Sequence, residues 1–249
     1  MLAFTLLYWA FVAATMPCFF VVALAIFLVT WPFDRRRVVL QLFSCFWAHF
    51  YVYANPLWRA RFHGRERLPW RGAAVIVANH LSVVDIPVLY GLYRPFKWVS
   101  KAAVFKVPAV GWNMVLNDYV RLTRGDRESI RAMMEHCRRH LAQGSPLLIF
   151  PEGTRSRDGK LQAFKDGAFK LAMEAKVPVF PVALKGTHET LPKHGLVLRQ
   201  HMDARVQVLE PLDPARFASA AELREAARSA IARAIGQGEE AAPASAAQR

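Results

Sequence analysis

Ala73-Ala74-Val75-Ile76-Val77-Ala78-Asn79-His80-Leu81-Ser82-Val83-Val84-Asp85 is the stretch that decides how this chain reads. Residues 73–78 form an apolar, β-type run that ends in Asn-His, with a carboxylate five positions after the imidazole. A strand that ends in His and turns toward a helix leaves the ring at the rim of a sheet, where substrates can reach it. Asp85, one turn into the following segment, can accept a proton from one ring nitrogen. That fixes the tautomer and leaves the other nitrogen to take a proton from a hydroxyl. The plainer alternatives are that Asp85 caps a helix, alone or as the last member of a Ser82-x-x-Asp85 box, and that His80 is a satisfied structural histidine.

A second stretch, Phe150-Pro151-Glu152-Gly153-Thr154-Arg155-Ser156, lies about seventy residues downstream and again directly follows an apolar run, 147–150. Around the two, strand-like and helical runs alternate. A helix is expected to start near Asp85, because Pro87 is tolerated only in a first turn. Residues 126–142 carry Ile130, Met133, Met134, Cys137 and Leu141 on one helical face, with Gly144 as the stop. Residues 147–150, 179–184 and 206–209 read as strands, and 164–175 and Ala220–Ile235 as helices. This order predicts an α/β fold, a largely parallel sheet flanked by helices. In such sheets reactive loops follow the strand C-termini, which is where His80 and Glu152 stand. The expected organisation is a helical membrane-associated element over 1–58, an α/β domain over 59–235, and a polar, Ala-rich, disordered tail over 236–249. There is no internal repeat.

The chain has 249 residues, 54% of them hydrophobic, and a formal net charge of +14. Residues 1–33 contain no charged side chain, and at ~1.5 Å per residue they exceed a hydrocarbon core of roughly 30 Å. The segment lacks the basic start and small-residue cleavage site of a secretory signal and is expected to be retained. Pro17 divides it, leaving two readings: one kinked span, or a helical hairpin lying in one leaflet, with a lean to the hairpin. A second apolar, aromatic stretch, Val38–Tyr53, could join the same element. Asp34-Arg35-Arg36-Arg37 follows at once, so residues after 34 are expected on the cytoplasmic side of a cytoplasmic membrane. The basic surplus beside an apolar segment points to anionic lipid, and no nucleic-acid-binding signature accompanies it. Cys18, Cys45 and Cys137 are scattered and indicate neither a disulfide framework nor a metal site.

Together the two stretches resemble the glycerolipid acyltransferase family, whose best-known members are the 1-acylglycerol-3-phosphate acyltransferases. The family's Asn-His-x4-Asp block is matched by Asn79 to Asp85, and its Phe-Pro-Glu-Gly-Thr-Arg-Ser block by Phe150 to Ser156. An apolar strand around Pro, Val177-Pro178-Val179-Phe180-Pro181-Val182, looks like the fourth block. The second block matches less well, at Asp118-Tyr119-Val120-Arg121-Leu122-Thr123-Arg124, with Asp where Gly is common. Arg124 keeps the spacing from Pro108 and Gly111, and Arg121 is the other choice for the block's arginine. The resemblance runs from about His63 to Leu212. It implies His80 and Asp85 as the catalytic pair, and Glu152, Gly153, Thr154 and Arg155 holding the acyl acceptor, with Arg124 as a second contact to its phosphate. Lys165 is a support of the same kind, whereas Lys170 is better explained as part of a basic helix face.

A thioester is already activated, and the chain has no Gly-x-Ser-x-Gly elbow, so direct attack by a hydroxyl deprotonated by His80 is the economical mechanism. The expectation is acyl transfer from acyl-CoA or acyl-ACP to lysophosphatidic acid in a lipid bilayer, giving phosphatidic acid, with no cofactor and no metal. The same blocks fit glycerol 3-phosphate, another lysophospholipid or a lyso-ornithine lipid as acceptor. The alternative of another class is a catalytically silent lipid-binding protein on the same fold.

Overall fold

Val75 to Ala78 are all buried, which a strand achieves only when both faces of its sheet are covered. A computed structural model describes residues 2–188, 190–191, 198 and 201–237. Two helices come first, α1 (Leu2–Thr30) and α2 (Val38–Tyr53), followed by β1 (Trp58–His63), β2 (Val75–Ala78), α3 (Asp85–Tyr90), β3 (Lys97–Lys101), α4 (Val110–Leu116) and β4 (Val120–Leu122). Then come α5 (Arg127–Ala142), β5 (Leu147–Ile149), α6 (Gly167–Ala175), β6 (Val179–Lys185), β7 (Met202–Val208) and α7 (Ala220–Ile235).

The sheet runs β1-β7-β6-β2-β5-β3-β4. Every neighbouring pair is parallel except β6 and β7. The expected α/β class with a largely parallel sheet is therefore what the chain adopts. Alternate residues of β2 feed two cores. Val75 and Val77 meet α5, α6 and α7 on one face, whereas Ile76 and Ala78 meet α2, α3 and the start of α1 on the other. The five parallel strands β6, β2, β5, β3 and β4 bring their C-terminal ends to one edge, and the loops carrying His80, Glu152, Thr187 and Arg124 all leave from that edge.

Several expected elements sit differently. The strand expected at 206–209 begins at Met202 and pairs antiparallel with β6. Its alternation of buried and exposed residues marks a sheet end where one side of the chain meets solvent. β1 has no counterpart among the expected strands; Arg59 and Arg61 are the outward positions of an alternating edge strand. The break expected at Pro17 is absent, because α1 continues through it. The hairpin instead forms between α1 and α2. Phe19 stacks on Trp47 at 5.8 Å and tilts against Phe43 at 6.3 Å, while Tyr8 donates its hydroxyl proton to Tyr51 O at 2.7 Å. Gly91 lets this pair close on the sheet, since a Cβ there would stand 2.3 Å from the Phe62 ring and 2.6 Å from His49.

Both ends of α1 touch the rest of the fold. Near its start Tyr8 and Val12 are buried with Trp58, Leu191 and Leu198, and Thr5 Oγ accepts the Leu198 N–H at 3.3 Å. Further on, Ala23 packs with Leu40, Trp47 and Ala109 of the α2–α4 side. The opposite face exposes Leu6, Leu7, Val21, Val22, Leu28 and Val29. At the other terminus, Gly236 closes α7 at φ 72, and Gln237 binds Leu161 N at 2.8 Å and Gly159 O at 2.9 Å. These two residues therefore belong to the fold rather than to the tail expected from 236; residues 238–249 lie outside the described residues.

Candidate active site

His80 leaves the C-terminal end of β2, the second strand from the middle of the parallel set, and the ring is 12% exposed. Its Nδ1 donates to Asp85 Oδ2 at 2.8 Å. The same oxygen accepts the N–H groups of Leu81 at 2.6 Å and Ser82 at 2.8 Å, and Oδ1 accepts the hydroxyl of Thr187. Asp85 is fully buried, and four donors are what make an ionised carboxylate tolerable there. Of the readings of Asp85 the imidazole-orienting one is realised. The helix itself is capped by Val84 without a side-chain hydrogen bond, and only the return half of the Ser82-x-x-Asp85 box, Ser82 N–H to Asp85 Oδ2, is formed. No described residue bonds His80 Nε2, which is left to accept a proton.

The Phe150–Ser156 turn is stitched to this loop at three points. The Phe150 ring stacks on the His80 ring at 3.9 Å. Glu152 Oε1 accepts the His80 N–H at 2.8 Å, and the His80 carbonyl accepts the Ser156 N–H at 2.8 Å. The other Glu152 oxygen takes the Gln162 N–H at 3.3 Å. Glu152 is buried, so it shapes the turn from inside. Burial is the main reason its carboxyl is pushed up to about 7, against the backbone N–H groups of His80 and Gln162, which oppose the shift. Gly153 stands at φ 72, a conformation that side chains rarely adopt, and a Cβ there would lie 2.9 Å from Lys165 Nζ. The Lys165 ammonium therefore covers this turn. Thr154 and Arg155 are half-buried in it, while Lys170 is exposed on α6.

Of the two second-block arginines, Arg121 lies on β4 with its guanidinium 4.6 Å from the Phe105 ring centroid. Arg124 is exposed in the loop beyond β4, on the same sheet edge as His80. Three strand spacings separate β4 from β2, about 14 Å at the usual ~4.8 Å each. Sequence reasoning missed Thr187, which sits just past β6 and is fully buried. The topology rule that reactive loops follow strand ends was the available signal for it. Asn79 was read only as a motif letter; its amide bonds both Leu184 O (2.9 Å) and Leu184 N (2.8 Å), joining the His80 loop to β6.

An imidazole oriented by a buried carboxylate at the C-terminal edge of a parallel α/β sheet, roofed by a Pro-Glu-Gly turn, defines the class of site. The family model described as Acyltransferase matches residues 59–185, about half of the chain, and the chain belongs to that family. It is 40% identical over 202 residues to a 1-acyl-sn-glycerol-3-phosphate acyltransferase of Chlamydomonas reinhardtii, covering 80% of this chain and 60% of that protein. A chloroplastic 1-acyl-sn-glycerol-3-phosphate acyltransferase of Brassica napus is 36% identical over 182 residues, covering 72% of this chain and 52% of that one. The chain thus spans half to three-fifths of the length of these curated relatives. Among solved structures, the 1-acyl-sn-glycerophosphate (LPA) acyltransferase PlsC from Thermotoga maritima superposes with a TM-score of 0.74 at 26% identity, covering 94% of this chain and 95% of that one.

Proposed function

We propose that this chain is a 1-acylglycerol-3-phosphate O-acyltransferase. It moves a fatty acyl group from acyl-CoA or acyl-ACP to the free hydroxyl of lysophosphatidic acid and so makes phosphatidic acid. The observation that carries the proposal is the His80–Asp85 pair, with Nδ1 occupied, Nε2 unbonded by any described residue, and the motif-bearing turn stacked directly on the ring. In the step proposed, Nε2 takes the proton from the acceptor hydroxyl as its oxygen attacks the thioester carbonyl. The imidazolium formed is stabilised by Asp85, and the thiol carrier leaves with a proton. Arg155 and Arg124 receive the acceptor's phosphate, a geometry suited to guanidinium groups. Gly153 and Thr154 line its approach, and Glu152 holds the turn in place.

We read α1 and α2 as a monotopic element of the cytoplasmic membrane. A helix of 29 residues is about 43 Å long. With contacts to the globular domain near both ends, it cannot put one end across a core of roughly 30 Å. Its exposed apolar face is the part left to enter one leaflet, where the lipid acceptor resides, with the catalytic edge on the cytoplasmic side.

Purified protein incubated with a panel of lyso-acceptors and both acyl carriers, with products identified by mass, tests the reading. Phosphatidic acid as the main product is expected, dependent on His80. Preferred acylation of another acceptor would move the substrate assignment, and thioester-independent lipid binding without any transfer would leave a silent binding protein.

A further inference from the structure

Apart from the catalytic edge, one cluster among the described residues brings metal-binding side chains together. Asp118 occupies the turn between α4 and β4, at the opposite edge of the sheet from His80, because it precedes a strand that runs toward the catalytic edge. α5 crosses this turn with His136 and His140 one helical turn apart, so both rings face the same way, with centroids 4.6 Å apart. His136 Nε2 lies 3.3 Å from Asp118 Oδ1, and His140 Nε2 lies 3.6 Å from Asp118 Oδ2. One ligand atom from each of the three lies within 4.8 Å of the others. Zinc held tetrahedrally at roughly 2.0–2.2 Å sets its nitrogen and oxygen ligands about 3.4 Å apart. The spacing between these side chains is already close to that edge length.

We propose that Asp118, His136 and His140 form a three-ligand site for a divalent transition-metal ion, zinc above all, with its fourth position open to water. Imidazole and carboxylate are the ligand set suited to that ion. The site has a closed floor and an open mouth: the His140 side chain is 3% exposed, that of His136 21% and that of Asp118 47%. Asp118 stands at φ 57, uncommon for a residue with a side chain, and this left-handed turn carries the carboxylate of the cluster. In the metal-free arrangement His140 Nε2 donates to Asp118 O at 2.8 Å. For Nε2 to ligate, that proton moves to the buried Nδ1, which has no partner among the described residues, and the metal–nitrogen bond takes the place of the hydrogen bond to Asp118 O. Two cations lie nearby. Arg37 caps the carbonyls of Val115 and Leu116, and Lys97 Nζ donates to Asn117 O at 2.7 Å. Burial draws the Lys97 ammonium down to about 7, which softens its repulsion of a second cation. A bound ion would tie α5 to the turn from which β4 starts, and thus to the base of the strand that leads to Arg124.

The test uses the full, untagged chain in detergent, stripped with a chelator and then titrated with zinc against a competing chromophoric chelator. One ion per chain is expected, and cobalt in its place should give the intense visible absorption of a tetrahedral centre. His140 is buried and its loss endangers the fold, so the more accessible His136→Ala and the near-isosteric Asp118→Asn carry the decision. Each should weaken binding by at least about tenfold with the circular dichroism unchanged. His63→Ala, on the exposed end of β1, should bind as the unaltered chain does. Absence of stoichiometric binding, or equal affinity in His136→Ala, Asp118→Asn and the unaltered chain, overturns the proposal. Because the readouts are affinity and absorption, the result is independent of whether the acyltransferase reading holds.

Discussion

At the residue scale, the imidazole is where loss should be greatest. His80→Ala should lower thioester-dependent turnover by ~10²–10⁴-fold, the usual share of general-base catalysis, while lipid binding persists. Near-normal product formation by that variant would sink the mechanism. Asp85→Asn should be severely impaired, since an amide cannot stabilise the imidazolium and would turn N–H groups toward the donors of Leu81 and Ser82. Thr187 acts one step further out, as a positioning residue. Thr187→Val removes a charge-assisted hydrogen bond to Asp85, worth about 1.5–3 kcal/mol, and should lower kcat with little change in KM. Thr187→Ser should restore it, and if the serine and valine variants behave alike the hydroxyl has no part. For recognition, Arg155→Ala should raise KM for lysophosphatidic acid far more than for an uncharged monoacylglycerol, and Arg124→Ala should do so more weakly. Equal effects on both acceptors would remove the phosphate role, and greater damage from Arg121→Ala would shift the second block to that arginine. Glu152 supplies a pH dependence. Its folded-state value, about 7, stands above the ordinary 4.5, so its contribution to stability is fully present below about 4.5 and is lost as pH rises through 7. The amplitude is on the order of 3 kcal/mol, taking 1.36 kcal/mol per pKa unit. Thermal unfolding from pH 4.5 to 8 should show this decline in the unaltered chain, and Glu152→Gln should lack that part of the slope.

At the element scale, the catalytic edge depends on three loops held to one another, and its rigidity comes from short strands locked in register. The three residues of β5 carry the Phe150 ring onto His80, so a change of packing there reaches the base directly. The α1–α2 pair is the other decisive element. Removing residues 1–33 would strip Tyr8, Val12 and Ala23 from two cores, and such a truncation tests folding rather than membrane contact. Substitution of the outward face separates the two. Val21→Asp with Leu28→Lys should leave unfolding unchanged, release the protein from vesicles in sedimentation, and depress activity on bilayer-resident acceptor more than on detergent-dispersed acceptor. Gly91→Ala should do the reverse, retaining vesicle binding while costing about 1–3 kcal/mol of stability by overpacking against Phe62 and His49.

At the scale of the whole molecule, a monotopic placement makes a topological prediction. Cysteines introduced at positions 36 and 123 and a tag at the N-terminus should all be reached only from the cytoplasmic side of intact cells, whereas a spanning α1 would expose the tag outside. What the sequence determined by itself were the local features. Apolar runs with the right punctuation specified β2, β5, β6, α5 and α7, because period and end signals are properties of neighbours along the chain. The His80–Asp85 pair was legible for the same reason, being five positions apart and closed by one turn. The unbroken α1 was not, since Pro17 does weaken an isolated helix and only contacts with α2, α4 and Trp58 hold both halves in line. Nor was the antiparallel pairing of β7 with β6, nor the strand character of β1, whose partners on β7 lie more than a hundred positions away. Thr187 on Asp85, Phe150 on His80, and Asp118 with His136 and His140 are likewise products of the fold. Each joins groups from separate elements, and only the stacking of parallel strands and the packing of α5 on them brings those atoms together.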